Sequence, residues 1–434
     1  MAKVIRKRWE GQMGSGLSRR DSRGCQYEAY LPDLLVGRTI TLDGDVAADV
    51  ADAEAAIARL NLNATTLVDT EALARLLLRA EAVASSKIEG LEVGPRRLLR
   101  AEAARELGET QHDVTAAEVL ANVDAMLHAV KSMAEGQEIT PALLKEVHFQ
   151  LLAGTRIEEH GGRLRQVQNW IGGSDYNPCS ADFVPCPWEE VEYLVDDLCN
   201  FANDDALPTV AQAAIAHAQF ETVHPFVDGN GRTGRALIHL ILRRRGLATR
   251  ILPPISLVLA TWANDYVAGL TATRYRGAAS SKEAHDGLNS WAARFAAACT
   301  RAVADATAFE ERAEAVIESW RQRLGSVRAK SATDLLLRAL PGAPILTVNG
   351  AASLIDRSFT AANEAVERLE AAQILHQVSV GRRNRAFEAR EMIDSFADLE
   401  RQLASPLGDT LTSPPTRTVP PRRPTRRATK SRQE

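Results

Sequence analysis

Aromatic residues are only 5% of this 434-residue chain, and no segment approaches the roughly 18 to 20 uninterrupted apolar residues needed to span a bilayer. Alanine and leucine instead dominate stretches such as 51–82 and 209–247, which disfavours a strand-built core and favours helix. The basic N-terminus MAKVIRKRWEGQMGSGLSRRDSRG has no apolar run behind it, so a secretory signal is not expected, and a cytoplasmic chain without a membrane partner is. Cysteine is scarce and odd in number: Cys25, Cys179, Cys186, Cys199 and Cys299 show no CxxC spacing. That argues against a zinc site or a disulfide framework and predicts free thiols. Positive charge is also in short supply. The net charge is −4, yet residues 417–434 hold seven Lys/Arg against one acid, a local +6 that leaves −10 on the remainder. A body this acidic is not built as a general nucleic-acid binder.

What is present is the balance of an ordinary globular chain, 45% hydrophobic and 25% charged. Helical spacing runs over 45–60 and 70–86, with Leu73, Leu76, Leu77, Ala80 and Val83 on one stripe, until Gly90 and Gly94-Pro95 break it. Further helices are predicted over 115–133, after the cap pair Thr140-Pro141, over 188–201, and over 209–223 beyond Pro208. Helical patterning continues to about Arg245 and again through 256–320. Between Arg163 and Pro187 the pattern changes. Val167, Trp170 and Ile171 lead into Gly172-Gly173, and Phe183 and Val184 precede Pro185, which predicts a β-hairpin among helices. From Ser331 the order is helix, helix, helix and two strand-like pieces around 381–385, the order of a winged helix-turn-helix. Beyond Ser405, Pro, Thr and Arg dominate and no periodicity survives, so a disordered tail is predicted.

The densest chemistry lies in His224–Arg235, HPFVDGNGRTGR, between two predicted helices. Glycines around Asn230 let successive N–H groups turn into one concavity at a helix start, where the dipole adds partial positive charge; this is a cradle for phosphate oxygens. Arg232 and Arg235, three apart on the opening turn, can reach the same side of that loop, and guanidinium forks grip phosphate at any pH. Asp228 would repel phosphate unless it holds a divalent cation, Mg²⁺, that bridges phosphate oxygens. His224, with an unperturbed pKa of about 6.5, can take a proton from an incoming hydroxyl.

The run resembles the signature of the Fic family, fitting it at His224, Pro225, Phe226, Asp228, Gly229, Asn230, Gly231, Arg232 and Arg235. The resemblance implies a Fic-type helical bundle that moves AMP from ATP to a Ser, Thr or Tyr hydroxyl of a protein target and releases pyrophosphate. It implies His224 as base, Asp228 as the Mg²⁺ ligand, Gly229, Asn230 and Gly231 on phosphates, and Arg232 and Arg235 on the β- and γ-phosphates. Phe226 reads as a buried anchor, and His217 and Glu221 as supports of the loop. The stretch 168–185 looks like the family's flap, so Ile171, Gly172, Phe183 and Val184 are expected to position the target by main-chain pairing.

Upstream, Ser85-Ser86-Lys87-Ile88-Glu89-Gly90 fits the family's inhibitory pattern. The i, i+4 spacing puts Ser85 and Glu89 on one helix face. The resemblance implies that Glu89 pairs with Arg235 where the γ-phosphate belongs, competing with ATP by charge and volume. The resulting organisation is mainly α. A flexible basic arm is expected over 1–25, an N-terminal helical region over 26–110, a catalytic core over 111–325, a winged helix over 326–404 and a disordered tail over 405–434. Self-modification and a homodimer are further expectations. DNA binding is not favoured, because the candidate recognition helix exposes Glu364, Glu367 and Glu370. Three alternatives stay open: an enzyme of this family that removes AMP, one with another nucleotide donor, and an ATP-sensing DNA-binding regulator.

Overall fold

The computed structural model describes residues 1–11, 18, 20–63, 70–106, 108, 113–380 and 384–403. The tail expected to be disordered, and most of the turn between the last two strands, lie outside these residues.

A β-hairpin opens the chain: β1 (Lys3–Trp9) pairs antiparallel with β2 (Cys25–Leu31), Lys3 opposite Leu31 and Trp9 opposite Cys25. This corrects the flexible arm expected over 1–25. Ile5, Lys7 and Trp9 on one face of β1 are partly covered, Lys7 paired with Glu189, while Arg6 and Arg8 are exposed, a half-buried pattern easily mistaken for a solvated arm.

The body is helical. In order come α1 (Gly44–Asn63), α2 (Thr70–Ile88), α3 (Pro95–Glu106), α4 (Val114–Ser132), α5 (Pro141–Leu152), α6 (Val191–Ala202), α7 (Thr209–Val223) and α8 (Asn230–Arg244). Short α9 (Ile255–Thr261) and α10 (Ala263–Ala272) lead into α11 (Lys282–Leu324), which runs unbroken for 43 residues. Local chemistry sets many of these ends. Thr140 accepts from Leu143 N at the start of α5, Ser281 accepts from Ala284 N at the start of α11, and Gly325 with φ +66° ends α11. Among the described residues no helix is long and apolar enough to cross a membrane.

Every residue of α7 is buried, and so is every residue of α8 except Arg243. A helix buried all round lies at the centre of a bundle. Around this pair α1 packs on α11, α2 on α4, α8 and α9, and α5 on α4 and α8.

The last unit is α12 (Ala332–Ala339), β3 (Ile345–Leu346), α13 (Val348–Ile355), α14 (Phe359–Ala371), β4 (His376–Val380), β5 (Asn384–Glu388) and α15 (Arg390–Leu403). Its sheet is antiparallel in the order β3-β5-β4. Neither β3, two residues long, nor α15 was expected from the sequence.

Two further expectations are corrected. The hairpin over 163–187 is a single bridge, Ile171 with Phe183, rather than two strands. Gly172 and Gly173 take φ of +75° and +78°, turning the chain out of extended geometry directly after the bridge. The cysteines are not all free: Cys25 and Cys179 form a disulfide across 154 residues, while Cys186, Cys199 and Cys299 are buried thiols. The pairing is tertiary, between β2 and the loop after Gly173, so spacing along the chain carries no trace of it.

Candidate active site

The loop from His224 to Gly229 joins the two central helices. His224 ends α7 in the left-handed region, φ 50° and ψ 62°, with its N–H donated to Phe220 O at 2.8 Å. Gly229, φ 72°, opens α8. Left-handed geometry at a non-glycine residue is held only where the surroundings enforce it, and here they do. Arg165, 2% exposed, donates from Nε to His224 O at 2.8 Å and from Nη2 to Cys186 O and Val223 O, while its own N–H reaches Pro225 O. Asn169 donates to Phe226 O at 3.0 Å. Phe226, 1% exposed, stacks on His148 with centroids 3.7 Å apart. Gly162 N donates to His148 Nδ1, so the proton sits on Nε2, which reaches Asp228 O at 3.0 Å. Arg165, Asn169 and His148 were missed from the sequence. They lie outside the motif, and their only signal is a polar side chain in otherwise apolar or loop surroundings.

Asn230 spends its side chain on the loop itself, accepting from Phe226 N at 2.8 Å and donating to Phe226 O at 2.9 Å. Its contribution to an anion is therefore its main-chain N–H. With the N–H groups of Gly231 and Arg232, this first turn of α8 carries donors that have no partner within the helix. Arg232 is 5% exposed, and its Nε and Nη1 are buried without a partner. Orphan donors on a buried guanidinium beside a helix start suit a ligand rich in oxygen.

An anion already occupies that start. Glu89 Oε1 accepts from Arg235 Nη2 at 2.8 Å, and a Cβ placed on Gly231 would lie 1.9 Å from the same oxygen. The carboxylate thus rests directly over the glycine of the nest. Arg235, 1% exposed, also donates from Nε to Ser85 Oγ and from Nη2 to Ser85 O, both at 2.8 Å. Burial alone would raise the Glu89 carboxyl, yet Arg235, with Arg232 and His224, holds it below the usual carboxylate range. One helical turn further back, Glu81 is fully buried and accepts from Ser256 N at 2.7 Å, from Ser256 Oγ and from His239 Nε2 at 2.8 Å. Glu81 and Ser85 of α2 and Glu89 of the turn directly after it form one line facing His239 and Arg235 on α8.

Burial pushes His224 down to about 4, with Glu89 raising it and Arg165 lowering it further. The imidazole is neutral at pH 7. Asp228 stands with its side chain 57% exposed, 3.9 Å from Arg232 Nη2. Among the described residues no group of three or more His, Cys, Asp and Glu could hold a metal by itself. One open carboxylate at a phosphate cradle still fits Mg²⁺, which takes one or two carboxylates and completes its shell with phosphate and water.

The flap closes one side. Ile171 N donates to Phe183 O at 2.8 Å and Phe183 N to Ile171 O at 3.2 Å, so these two and Gly172 stand together. Val184 O is already taken by Tyr30 N of β2 at 2.9 Å, which leaves that carbonyl engaged with the body. Residues 138–242 match the Fic/DOC family profile, and residues 47–131 match that of the Fic/DOC family N-terminal region. Over these two segments the chain is similar to the Fic/DOC family. The Fic/DOC match contains the whole loop just described, and the N-terminal match contains Ser85 and Glu89.

Curated relatives include protein adenylyltransferase fic-1 of Caenorhabditis elegans, 36% identical over 135 residues, which are 30% of this chain and 24% of that protein. Protein adenylyltransferase Fic of Drosophila grimshawi is 32% identical over 136 residues, 31% of this chain and 27% of that one. The chain spans about a quarter of the length of the curated relatives it matches. A solved Fic family protein from Desulfovibrio desulfuricans G20 superposes with a TM-score of 0.49 at 21% identity, over 80% of this chain and 97% of the other.

Proposed function

We propose that this chain transfers AMP from ATP to a Ser, Thr or Tyr hydroxyl of a protein target, and that Glu89 restrains it. The observation that carries the reading is a carboxylate seated over Gly231, in the nest beside His224, gripped by an arginine that a nucleotide would need. A site that seats a carboxylate oxygen there can seat a phosphate oxygen.

In this reading the main-chain N–H groups of Asn230, Gly231 and Arg232 hold phosphate oxygens, Gly229, whose own N–H goes to Asp228, turns the chain into the nest, and Arg232 and Arg235 neutralise the β- and γ-phosphates. His224, neutral and held from behind by Arg165, accepts the target's hydroxyl proton as oxygen attacks the α-phosphorus. Asp228 would hold Mg²⁺, which when bound withdraws charge from the phosphates. The bridge Ile171–Phe183 offers the edge along which a target segment lies, and Gly172 allows it to approach. Glu89 must leave Arg235 before the triphosphate can enter. The curated names of the relatives support the reaction class.

We read residues 332–388 as a winged helix that docks protein rather than DNA. Glu364 and Glu367 are exposed on α14 and would repel phosphate backbone.

The test is label transfer from α-labelled ATP with Mg²⁺ in a cell lysate. Glu89→Gly should raise labelling at least tenfold over the unsubstituted chain and tighten ATP binding. Adding His224→Ala should abolish transfer while ATP binding persists. No rise on Glu89→Gly would overturn the restraint, and transfer that survives His224→Ala would overturn the assignment of the base.

A further inference from the structure

Behind His224 lies a buried acid whose role the motif does not state. Glu221, one turn earlier on α7, is 7% exposed, and its Oε2 stands 4.0 Å from His224 Nδ1. Glu221 Oε1 and His224 Nδ1 are both buried without a hydrogen-bond partner. The oxygen nearer Nδ1 is Oε2, while the orphan Oε1 turns towards Gly234; unpartnered polar atoms on both neighbouring groups are rare, because each forfeits its bonds to water. Gly234 of α8 makes the room: a Cβ there would lie 2.9 Å from Glu221 Oε1 and 3.2 Å from His217 Nδ1. A neighbouring cation completes the enclosure. Arg274 lies 3.6 Å over the Phe183 ring of the flap, and its Nε is also buried without a partner.

Building on the transferase reading, we propose that Glu221 is a positioning residue for the base: its carboxylate faces Nδ1–H of His224 and stabilises the imidazolium formed when Nε2 takes the target's proton. The main-chain carbonyl of Glu221 also favours the protonated form of this ring; in the proposal Nδ1 carries the hydrogen and Nε2 is the free base. In the step itself the target O–H bond breaks and its oxygen bonds the α-phosphorus. The bond from that phosphorus to the bridging oxygen breaks, pyrophosphate leaves with the electron pair, and the proton remains on Nε2. Positive charge then appears on a ring enclosed by protein, where an aligned carboxylate acts far more strongly than in water. A separation of 4.0 Å in the resting site is a distance that closes once the site is loaded.

The charges around Glu221 come from every packed element: Arg235 on α8, Glu89 directly after α2, Arg274 after α10, with His217, His224 and Tyr266 beside it. Burial pushes the Glu221 carboxyl up to about 7 against the pull of Arg235, with Glu89 adding to the rise and Arg274 opposing it. The carboxylate form therefore accumulates as pH rises through neutrality, and the reaction should follow it.

The experiment compares Glu221→Gln with the parent in Glu89→Gly protein, reading kcat and ATP KM from pH 5 to 9. A ¹⁵N NMR titration of His224 accompanies it. Gln keeps the shape and loses the charge. We expect kcat to fall about 10- to 100-fold, with ATP KM within about twofold. The acid limb of the kcat profile should move to lower pH, and the step that Glu221 imposes on the His224 resonance should vanish. A residue that only braces the loop would leave both where they are, so an unmoved limb and an unmoved resonance overturn the proposal. If Glu89→Gly protein transfers no AMP, the transferase reading fails. The titration still decides the pair, because His224 in the unsubstituted protein must sense a proton shared with Glu221 near pH 7. Absence of that step overturns it without any variant.

Discussion

Gly231 is the residue on which the proposed competition between Glu89 and nucleotide turns. Its missing side chain is the space that Glu89 Oε1 fills, 1.9 Å from where a Cβ would stand and 2.9 Å from that Cβ to Arg235 Nη1. A methyl group there excludes the carboxylate and, by the same geometry, any phosphate oxygen in the nest. Gly231→Ala should therefore separate release from activation. The Glu89–Arg235 pair breaks, yet ATP binding measured by calorimetry stays at least tenfold weaker than in Glu89→Gly protein, a difference of about 1.4 kcal/mol. ATP binding by Gly231→Ala as tight as in Glu89→Gly would mean that the nucleotide's oxygens lie elsewhere. The motif residues were legible in the sequence because they lie close together: a histidine, a glycine turn and two arginines within twelve positions. Arg165 and His148 were not legible, since each does its work by reaching a loop 59 or 80 residues away along the chain.

At the scale of elements, most helices and the last two strands were readable, whereas the β1–β2 pair, β3, α3 and α15 were not. Caps such as Thr140 and breakers such as Pro208 and Gly325 act within a few residues of the end they set. The pairing of β1 with β2 and their attachment to the flap are contacts between segments far apart, and no local pattern encodes them. That attachment is dense. Cys25 is bonded to Cys179, Trp9 meets the Trp170 ring edge-on at 5.4 Å, Asn177 donates to Asp21 O at 2.9 Å, and Tyr30 N reaches Val184 O. The first hairpin thus holds the outer rim of the flap in place. Reduction of the disulfide removes the covalent member of this set and leaves the polar ones exposed to water. Hydrogen exchange followed by mass spectrometry should then show faster exchange over residues 25–31 and 174–182, with α7 and α8 unchanged. Equal exchange in both redox states would show that the remaining contacts suffice.

The whole molecule ties its C-terminal unit back to the helix that leads into Glu89. Helix α15 packs on α11, α3 and α9, and α9 lies against α2. Trp320, fully buried at the end of α11, donates to Glu391, Phe309 meets Phe396 at 6.4 Å, and Arg100 of α3 pairs with Glu388 at 3.5 Å. Leu99 and Ala103 of α3 share a small core with Ile345, Ala386 and Ile393. A cavity of about 940 Å³, lined by Leu78 and Arg79 of α2 and by Leu346 and Asn349, separates the remaining faces. Removing the unit would strip the cover from Trp320 and Phe309, each a large apolar surface returned to water, and would loosen α3 and α9 on either side of α2. A chain ending at Gly325 should unfold about 5 °C or more below the full chain. Because the line Glu81–Ser85–Glu89 depends on how firmly α2 is held, the shortened chain should also show higher basal AMP transfer than the full chain. A shortened chain that melts lower but transfers no faster would place the restraint wholly in the α2–α8 contact, with Glu81 and His239 sufficient to hold it.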